Sequence, residues 1–153
     1  MKLSRILQRA VRYFNPVARL ILATRLHHVM SSRLMLLTFT GRKTGRPHTT
    51  PVSYVREGSE LLVPAGGTWW KNLANGHQAR VRLRGIWRPV SPELITEPVA
   101  LAELMGRMLA ANPAIAVFTG IRPGPGGRPD GDALERERQR GFVVVRLRLD
   151  AED

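Results

Sequence analysis

The chain has 153 residues, of which 43% are hydrophobic and 24% are charged, a composition typical of an ordinary globular domain and not of a disordered or fibrous protein. It has no cysteine, so disulfides, thiolate nucleophiles, iron–sulfur clusters and cysteine-ligated zinc are excluded. With 24 Lys and Arg against 12 Asp and Glu, the formal net charge is +12, which predicts an anionic partner such as a phosphate, a nucleic acid or an acidic membrane face.

Residues 1–32 are predicted to form a helical segment that packs on the main domain or leads into it. Apolar residues recur at helical spacing over 3–14 with Lys and Arg on the other side, and Asn15-Pro16 separates this basic helix from a second one over 17–29. Two interpretations remain open for the first helix: it packs on the domain, or it lies on an anionic membrane surface at the inner face of the cell. No apolar run is long enough to span a membrane, and arginines interrupt the amino terminus, so we expect a cytoplasmic protein.

Residues 33–150 are predicted to form one domain of short strands. A hairpin is predicted over 34–40 and 49–56, with further strands over 61–63, 80–84, 86–96 and 141–149. A helix is predicted over 98–111, with residues 99, 101, 102, 105, 108 and 109 facing inward. The Gly- and Pro-rich stretch 120–131 is predicted to be a mobile loop, and 135–140 its solvated return. This order indicates a small barrel or an α+β sheet with appended helices.

The most informative segment is Gly41-Arg42-Lys43-Thr44-Gly45-Arg46-Pro47-His48, which we call the basic loop. Two glycines free its backbone, while three permanent cations and two hydrogen-bonding side chains converge on one hairpin end. We predict that these side chains, together with bare backbone N–H groups, bind a phosphate or a similar anion. It is not a Walker loop, because the glycine spacing differs and a strand follows. The alternative is a solvated basic turn without a ligand.

Further motifs follow the basic loop in a distinctive order. Thr49-Thr50-Pro51 runs into an apolar strand with Tyr54, and then come Gly66-Gly67 and the run Trp-Trp-Lys-Asn-Leu at 69–73. This order resembles the deazaflavin-dependent nitroreductase family, small split β-barrel oxidoreductases that use coenzyme F420. The resemblance covers residues 34–83, with a weaker likeness in the final strand. It implies a mainly β or α+β fold, a split β-barrel of the FMN-binding type, with N-terminal helices and one or two crossover helices.

The resemblance also implies a cofactor site. The residues it implies are Arg42, Lys43, Thr44, Gly45, Arg46, His48, Thr50, Pro51, Ala65, Gly66, Trp69, Trp70 and Asn72. The cations and His48 would contact the phosphate and polyglutamyl tail of the coenzyme, and the backbone at Ala65 and Gly66 would face the deazaflavin ring. The tryptophans and Asn72 would line the pocket. The family often has Arg at the position of His48, and usually a longer stretch between the glycine pair and the tryptophans.

The function that the resemblance implies is hydride transfer from reduced coenzyme F420 to a small electron-poor acceptor such as a quinone, an enone or a nitro compound. Tyr54 and His48 are the candidates for a proton donor. One alternative is a split-barrel protein that binds FMN, haem or a lipid without turnover, and another is a nucleic-acid-binding protein suggested by charge alone. The histidines show no metal-ligand spacing, so no metal is expected. The expected partner is the small acceptor and not a nucleic acid, and the chain is expected to be a monomer or a homodimer.

Overall fold

The structure, a computed structural model, describes residues 34–76 and 78–150. Its strands in this part of the chain are β1 (Leu34–Thr40), β2 (Pro47–Ser53), β3 (Val55–Glu57), β4 (Glu60–Ala65), β5 (Ala79–Leu83), β6 (Ile86–Ile95) and β7 (Val143–Leu149). The helices are a 3-10 helix over Trp69–Gly76, α1 (Pro98–Ala111), α2 (Ile115–Thr119), a 3-10 turn over Pro125–Gly127 and α3 (Gly131–Gln139). The helices predicted over 3–14 and 17–29 lie outside the described residues.

The seven described strands form one antiparallel sheet in the order β2-β1-β5-β6-β7-β4-β3. Strands β2 and β3 lie at opposite edges of this sheet, yet only Tyr54 separates them along the chain. Since consecutive Cα atoms are about 3.8 Å apart, the two edges must approach each other at this corner. The sheet is therefore curled into a split β-barrel, and the predicted fold class is confirmed.

Two groups of buried residues lie on the two faces of the curled sheet. The inner group fills the barrel and includes Met35, Leu37, Phe39, Leu61, Val63, Leu73, Val81, Val145 and Leu147. The outer group lies between the sheet and the helices and includes Leu62, Val144, Leu101, Leu104, Met105, Met108 and Ile115. Neighbouring residues such as Leu61 and Leu62 belong to different groups, as the alternation of side chains along a strand requires.

Several predicted elements are confirmed. β1 and β2 form the expected hairpin, paired from Leu34 with Ser53 to Thr40 with Pro47. Helix α1 has the predicted bounds. Its first turn is capped by the Glu97 side chain, which accepts hydrogen bonds from the backbone N–H groups of Val99 and Ala100. The predicted inward face was wrong at Val99, which is 72% exposed, and it omitted Leu104, which is buried. The buried stripe runs 101, 104, 105, 108 and 109, the spacing of one helix face, and residue 99 lies off it.

The stretch after α2 departs most from prediction. Within the loop predicted to be mobile, the Gly124 N–H donates to the Arg128 carbonyl (2.6 Å) and the Asp130 N–H to the Arg122 carbonyl (2.8 Å). Residues 135–139 of the predicted solvated return belong to helix α3, on which they are exposed or half-buried while Ala133 and Leu134 are buried. Its charged residues stabilise the helix through pairs three residues apart, Glu135 with Arg138 and Glu137 with Arg140, which the composition alone does not reveal.

A smaller difference concerns the strand that follows the basic loop. The strand predicted over 49–56 is divided at Tyr54 into β2 and β3, because the chain passes there from one sheet edge to the other. Among the described residues, no helix combines the length and the apolar composition that crossing a bilayer would need.

Candidate functional site

The basic loop connects β1 to β2 as a compact turn. The Gly41 N–H donates to the Arg46 carbonyl and the Gly45 N–H to the Gly41 carbonyl, both at 2.8 Å. The Arg46 N–H donates to the Thr44 hydroxyl at 3.3 Å. Gly45 has φ of +68°, a conformation that side chains disfavour. Gly41 is needed for space, because a Cβ there would lie 2.7 Å from both His48 Nε2 and Thr44 Oγ1.

The backbone of this loop is less available to a ligand than predicted. Besides the three amides just described, the Arg42 N–H donates to Asn72 Oδ1 at 2.9 Å. Four of the N–H groups expected to be bare are therefore already hydrogen-bonded within the protein, two to carbonyls of the turn itself and two to the side chains of Thr44 and Asn72. An anion bound here would be held mainly by side chains.

The cations of the loop are free to bind an anion. Arg42, Lys43 and Arg46 are exposed, and none of them pairs with a carboxylate anywhere in the described ranges. Other arginines of the fold are engaged, as Arg107 is with Glu57 at 3.0 Å and Arg146 with Glu93 at 3.2 Å. Three uncompensated charges on one turn attract anions, and the Thr44 hydroxyl adds a hydrogen-bonding group beside them.

A row of three aromatic rings lies next to the loop. Phe39 stands between His48 and Trp69, with ring centroids 5.8 Å apart on both sides and interplanar angles of 28° and 27°. Phe39 is 6% exposed and belongs to the barrel interior, whereas His48 is exposed and Trp69 is partly buried. The strand pairing of Phe39 with His48 fixes one contact, and the 3-10 helix that begins at Trp69 supplies the other.

The loop and the 3-10 helix enclose a cleft of about 220 Å³ that is open to solvent. Its lining residues are Gly41, Arg42, Lys43, Thr44, His48, Thr68, Trp69 and Asn72. Six of the predicted cofactor-binding residues thus meet in one place, and Gly45 and Arg46 lie on the same turn. Prediction missed Gly41 and Thr68 as lining residues. Gly41 opens the basic loop and could have been found there, but Thr68 carries no signal beyond its position before Trp69.

Trp70 lies outside this cleft, although the two tryptophans were predicted to line a pocket together. Its indole N–H donates to the carbonyls of Gly67 (2.9 Å) and Gly141 (3.0 Å), and the Lys71 ammonium lies 5.8 Å from its ring centroid. Trp70 therefore joins the segment after β4 to the residues that lead into β7. In a 3-10 helix, neighbouring side chains point about 120° apart, so the pair cannot face one ligand in the same way.

Other predicted site residues also lie apart from the cleft. Tyr54 is 6% exposed within the barrel interior, and burial raises the pKa of its phenol despite the opposing charges of Arg84 and Arg56. A buried, neutral phenol outside the cleft is poorly placed to donate a proton there. Ala65 and Pro51 are buried in strands, and Thr50 is half-buried with its hydroxyl 3.4 Å from the Pro51 carbonyl.

Gly66 is the remaining predicted contact. It is exposed, and a Cβ built on it would meet nothing within 4 Å, so its surface is open to a ligand. Within the described residues, no group of three His, Asp or Glu side chains could hold a metal ion.

Comparisons with known proteins bear on this site. The family model described as F420H(2)-dependent quinone reductase matches residues 10–120. A solved structure described as an F420-H2 dependent reductase (FDR-A) is similar with a TM-score of 0.52 and 17% identity, over 75% of this chain and 93% of that one. One described as a domain-swapped dimer is similar with a TM-score of 0.54 and 17% identity, over 86% and 92%.

A pyridoxamine 5′-phosphate oxidase described as putative, from Listeria innocua, is similar with a TM-score of 0.50 and 14% identity, over 82% of this chain and 90% of that one. At such identities these structures support the fold, and the family match carries the information about chemistry.

Proposed function

Since the chain belongs to the F420H(2)-dependent quinone reductase family and is therefore an oxidoreductase that uses coenzyme F420, we propose that the basic loop binds the anionic tail of the coenzyme and that the acceptor is a small quinone. The single observation that carries the tail assignment is a set of three cations on one turn, Arg42, Lys43 and Arg46, none of which pairs with a carboxylate among the residues that the structure describes.

The residues of the basic loop fit the anionic tail of the coenzyme. Phosphate and glutamate carboxylates are recognised by guanidinium, ammonium and hydroxyl donors, and the turn offers all three kinds through Arg42, Lys43 and Thr44. His48 adds an imidazole at the same edge. The cleft is open to solvent, which suits a ligand whose tail extends into solvent.

The aromatic row offers a surface for the flat ring of the coenzyme. A flat heterocycle packs favourably on aromatic side chains, and Trp69 presents a partly exposed ring at the cleft while Phe39 supports it from the barrel interior. The tail-binding cations and the aromatic surface adjoin in one cleft, so a ligand with a charged end and a flat end can contact both.

When bound, reduced coenzyme F420 supplies the hydride. The chain's own residues bind the tail, orient the coenzyme and shield from water the side of the coenzyme that lies against the protein. Of the two candidates for a proton donor, His48 lines the cleft and Tyr54 does not. We therefore assign to His48 the delivery of the one proton that, together with one hydride, converts the quinone to a hydroquinone.

The proposal is tested by titrating the purified protein with coenzyme F420 and following the fluorescence of the deazaflavin, with FMN as a parallel ligand. Saturable binding of the deazaflavin, followed by its reoxidation when menadione is added to the reduced complex, is the expected result. Binding of FMN alone would favour the alternative split-barrel function, and binding without reoxidation by any quinone would refute the acceptor class.

A further inference from the structure

The Asn72 side chain makes two hydrogen bonds that join the two halves of the cleft. Its Oδ1 accepts from the Arg42 N–H at 2.9 Å, 30 positions earlier in the chain, and its Nδ2 donates to the Trp69 carbonyl at 2.7 Å. Only one orientation of the amide satisfies both partners, because the first is a donor and the second an acceptor. The bond to Trp69 therefore holds the amide in the orientation that presents oxygen to the basic loop.

The 3-10 helix that carries Asn72 is firmly attached to the barrel. Leu73 is 1% exposed in the barrel interior, and the Trp70 indole donates to two carbonyls, those of Gly67 and Gly141. Asn72 thus stands on a part of the fold that is fixed from two sides.

The basic loop, in contrast, keeps its shape through bonds among its own residues. These bonds join Gly41 to Arg46, Gly45 to Gly41 and Arg46 to Thr44. Among the described residues, the hydrogen bond from Arg42 to Asn72 is the one that joins the loop to the 3-10 helix. Loss of this bond would leave the turn intact but free to move as a unit away from the helix.

We propose that Asn72 is a positioning residue, which holds the tail-binding cations of the basic loop in register with the Trp69 side of the cleft. This inference rests on the proposed binding of the coenzyme tail by Arg42 and Lys43. Its consequence is that Asn72 contributes to affinity through the tail and contributes little to the binding of the ring.

The test uses two ligands, coenzyme F420 and the deazariboflavin that carries the same ring but lacks the phosphate and glutamyl tail. We expect Asn72→Ala to weaken the binding of coenzyme F420 by about fivefold to tenfold, the effect of one net hydrogen bond, and that of the deazariboflavin by less than about twofold. At saturating coenzyme, kcat should be retained while KM for the coenzyme rises. Asn72→Gln, which carries the same amide on a longer side chain, should act in the same direction and covers the case in which the alanine variant does not fold.

A double-mutant cycle separates positioning from direct contact. In the Arg42→Ala, Lys43→Ala background the backbone N–H of residue 42 remains, but the two cations of the loop that line the cleft are gone. There, Asn72→Ala should change the affinity for coenzyme F420 by less than about twofold. An equal loss in both backgrounds, or an equal loss for both ligands, would overturn the inference. Failure of the wild-type protein to bind coenzyme F420 at all would instead refute the proposed function.

Discussion

The sharpest test of the tail-binding assignment is the removal of two cations from the basic loop. Arg42→Ala combined with Lys43→Ala deletes two exposed charges from the cleft lining, neither of which has a carboxylate partner in the described part of the chain, and leaves the turn's backbone hydrogen bonds in place. The fold should therefore be unaffected, with a thermal midpoint close to that of the wild type.

The expected loss of affinity follows from the exposure of the two side chains. A hydrogen bond to a charged group contributes about 1.5–3 kcal/mol when it is shielded, but an exposed ion pair contributes about 0.2–1 kcal/mol. Since both side chains are exposed in an open cleft, we take about 1 kcal/mol for each, or about 2 kcal/mol together, which corresponds to an increase of about 30-fold in Kd.

The assay is the fluorescence titration with coenzyme F420 at low and at high salt. The matched control is Arg122→Ala combined with Arg128→Ala, which removes the same charge from exposed residues outside the cleft. The loss in the cleft variant should shrink as salt shortens the Debye length from about 10 Å at 0.1 M to about 3 Å at 1 M. Equal losses in the two variants would show that net charge, and not the loop, attracts the coenzyme, and the reasoning would be wrong.

Three further predictions concern single positions. Gly41→Ala should weaken coenzyme binding severalfold with little loss of stability, because the new Cβ would lie 2.7 Å from His48 Nε2 and would displace the His48 ring. An unchanged affinity in the same titration would contradict this. Gly106→Ala should destabilise the protein in urea unfolding, because the new Cβ would lie 2.5 Å from the Gly127 carbonyl oxygen. Overpacking of this kind costs about 1–3 kcal/mol, which outweighs the preference of about 1 kcal/mol for alanine over glycine in a helix. A gain in stability would count against the packing described. Glu97→Gln should lower stability at neutral pH, with the difference from wild type closing in acid; two parallel pH profiles would refute it. The helix amides hold the pKa of Glu97 below its ordinary value of 4.5, so its contribution is present above that pH and is lost as the pH falls through the lowered pKa.

Local sequence was enough to predict much of the framework and one half of the site. The bounds of α1, the β1–β2 hairpin and the concentration of cations on its turn all depend on spacing, proline and glycine within a few residues. These properties act over one or two turns of chain, so they can be read without knowledge of the fold.

The tertiary structure decided which predicted residues share the cleft. It separated Trp69 from Trp70, placed Tyr54 inside the barrel and brought Asn72 to the Arg42 amide across 30 positions. The sequence shows that these side chains can hydrogen-bond or stack, but only the curling of the sheet determines which of them meet. A contact partner that is distant in sequence is determined by the packing of the whole fold, and the local sequence pattern does not predict it.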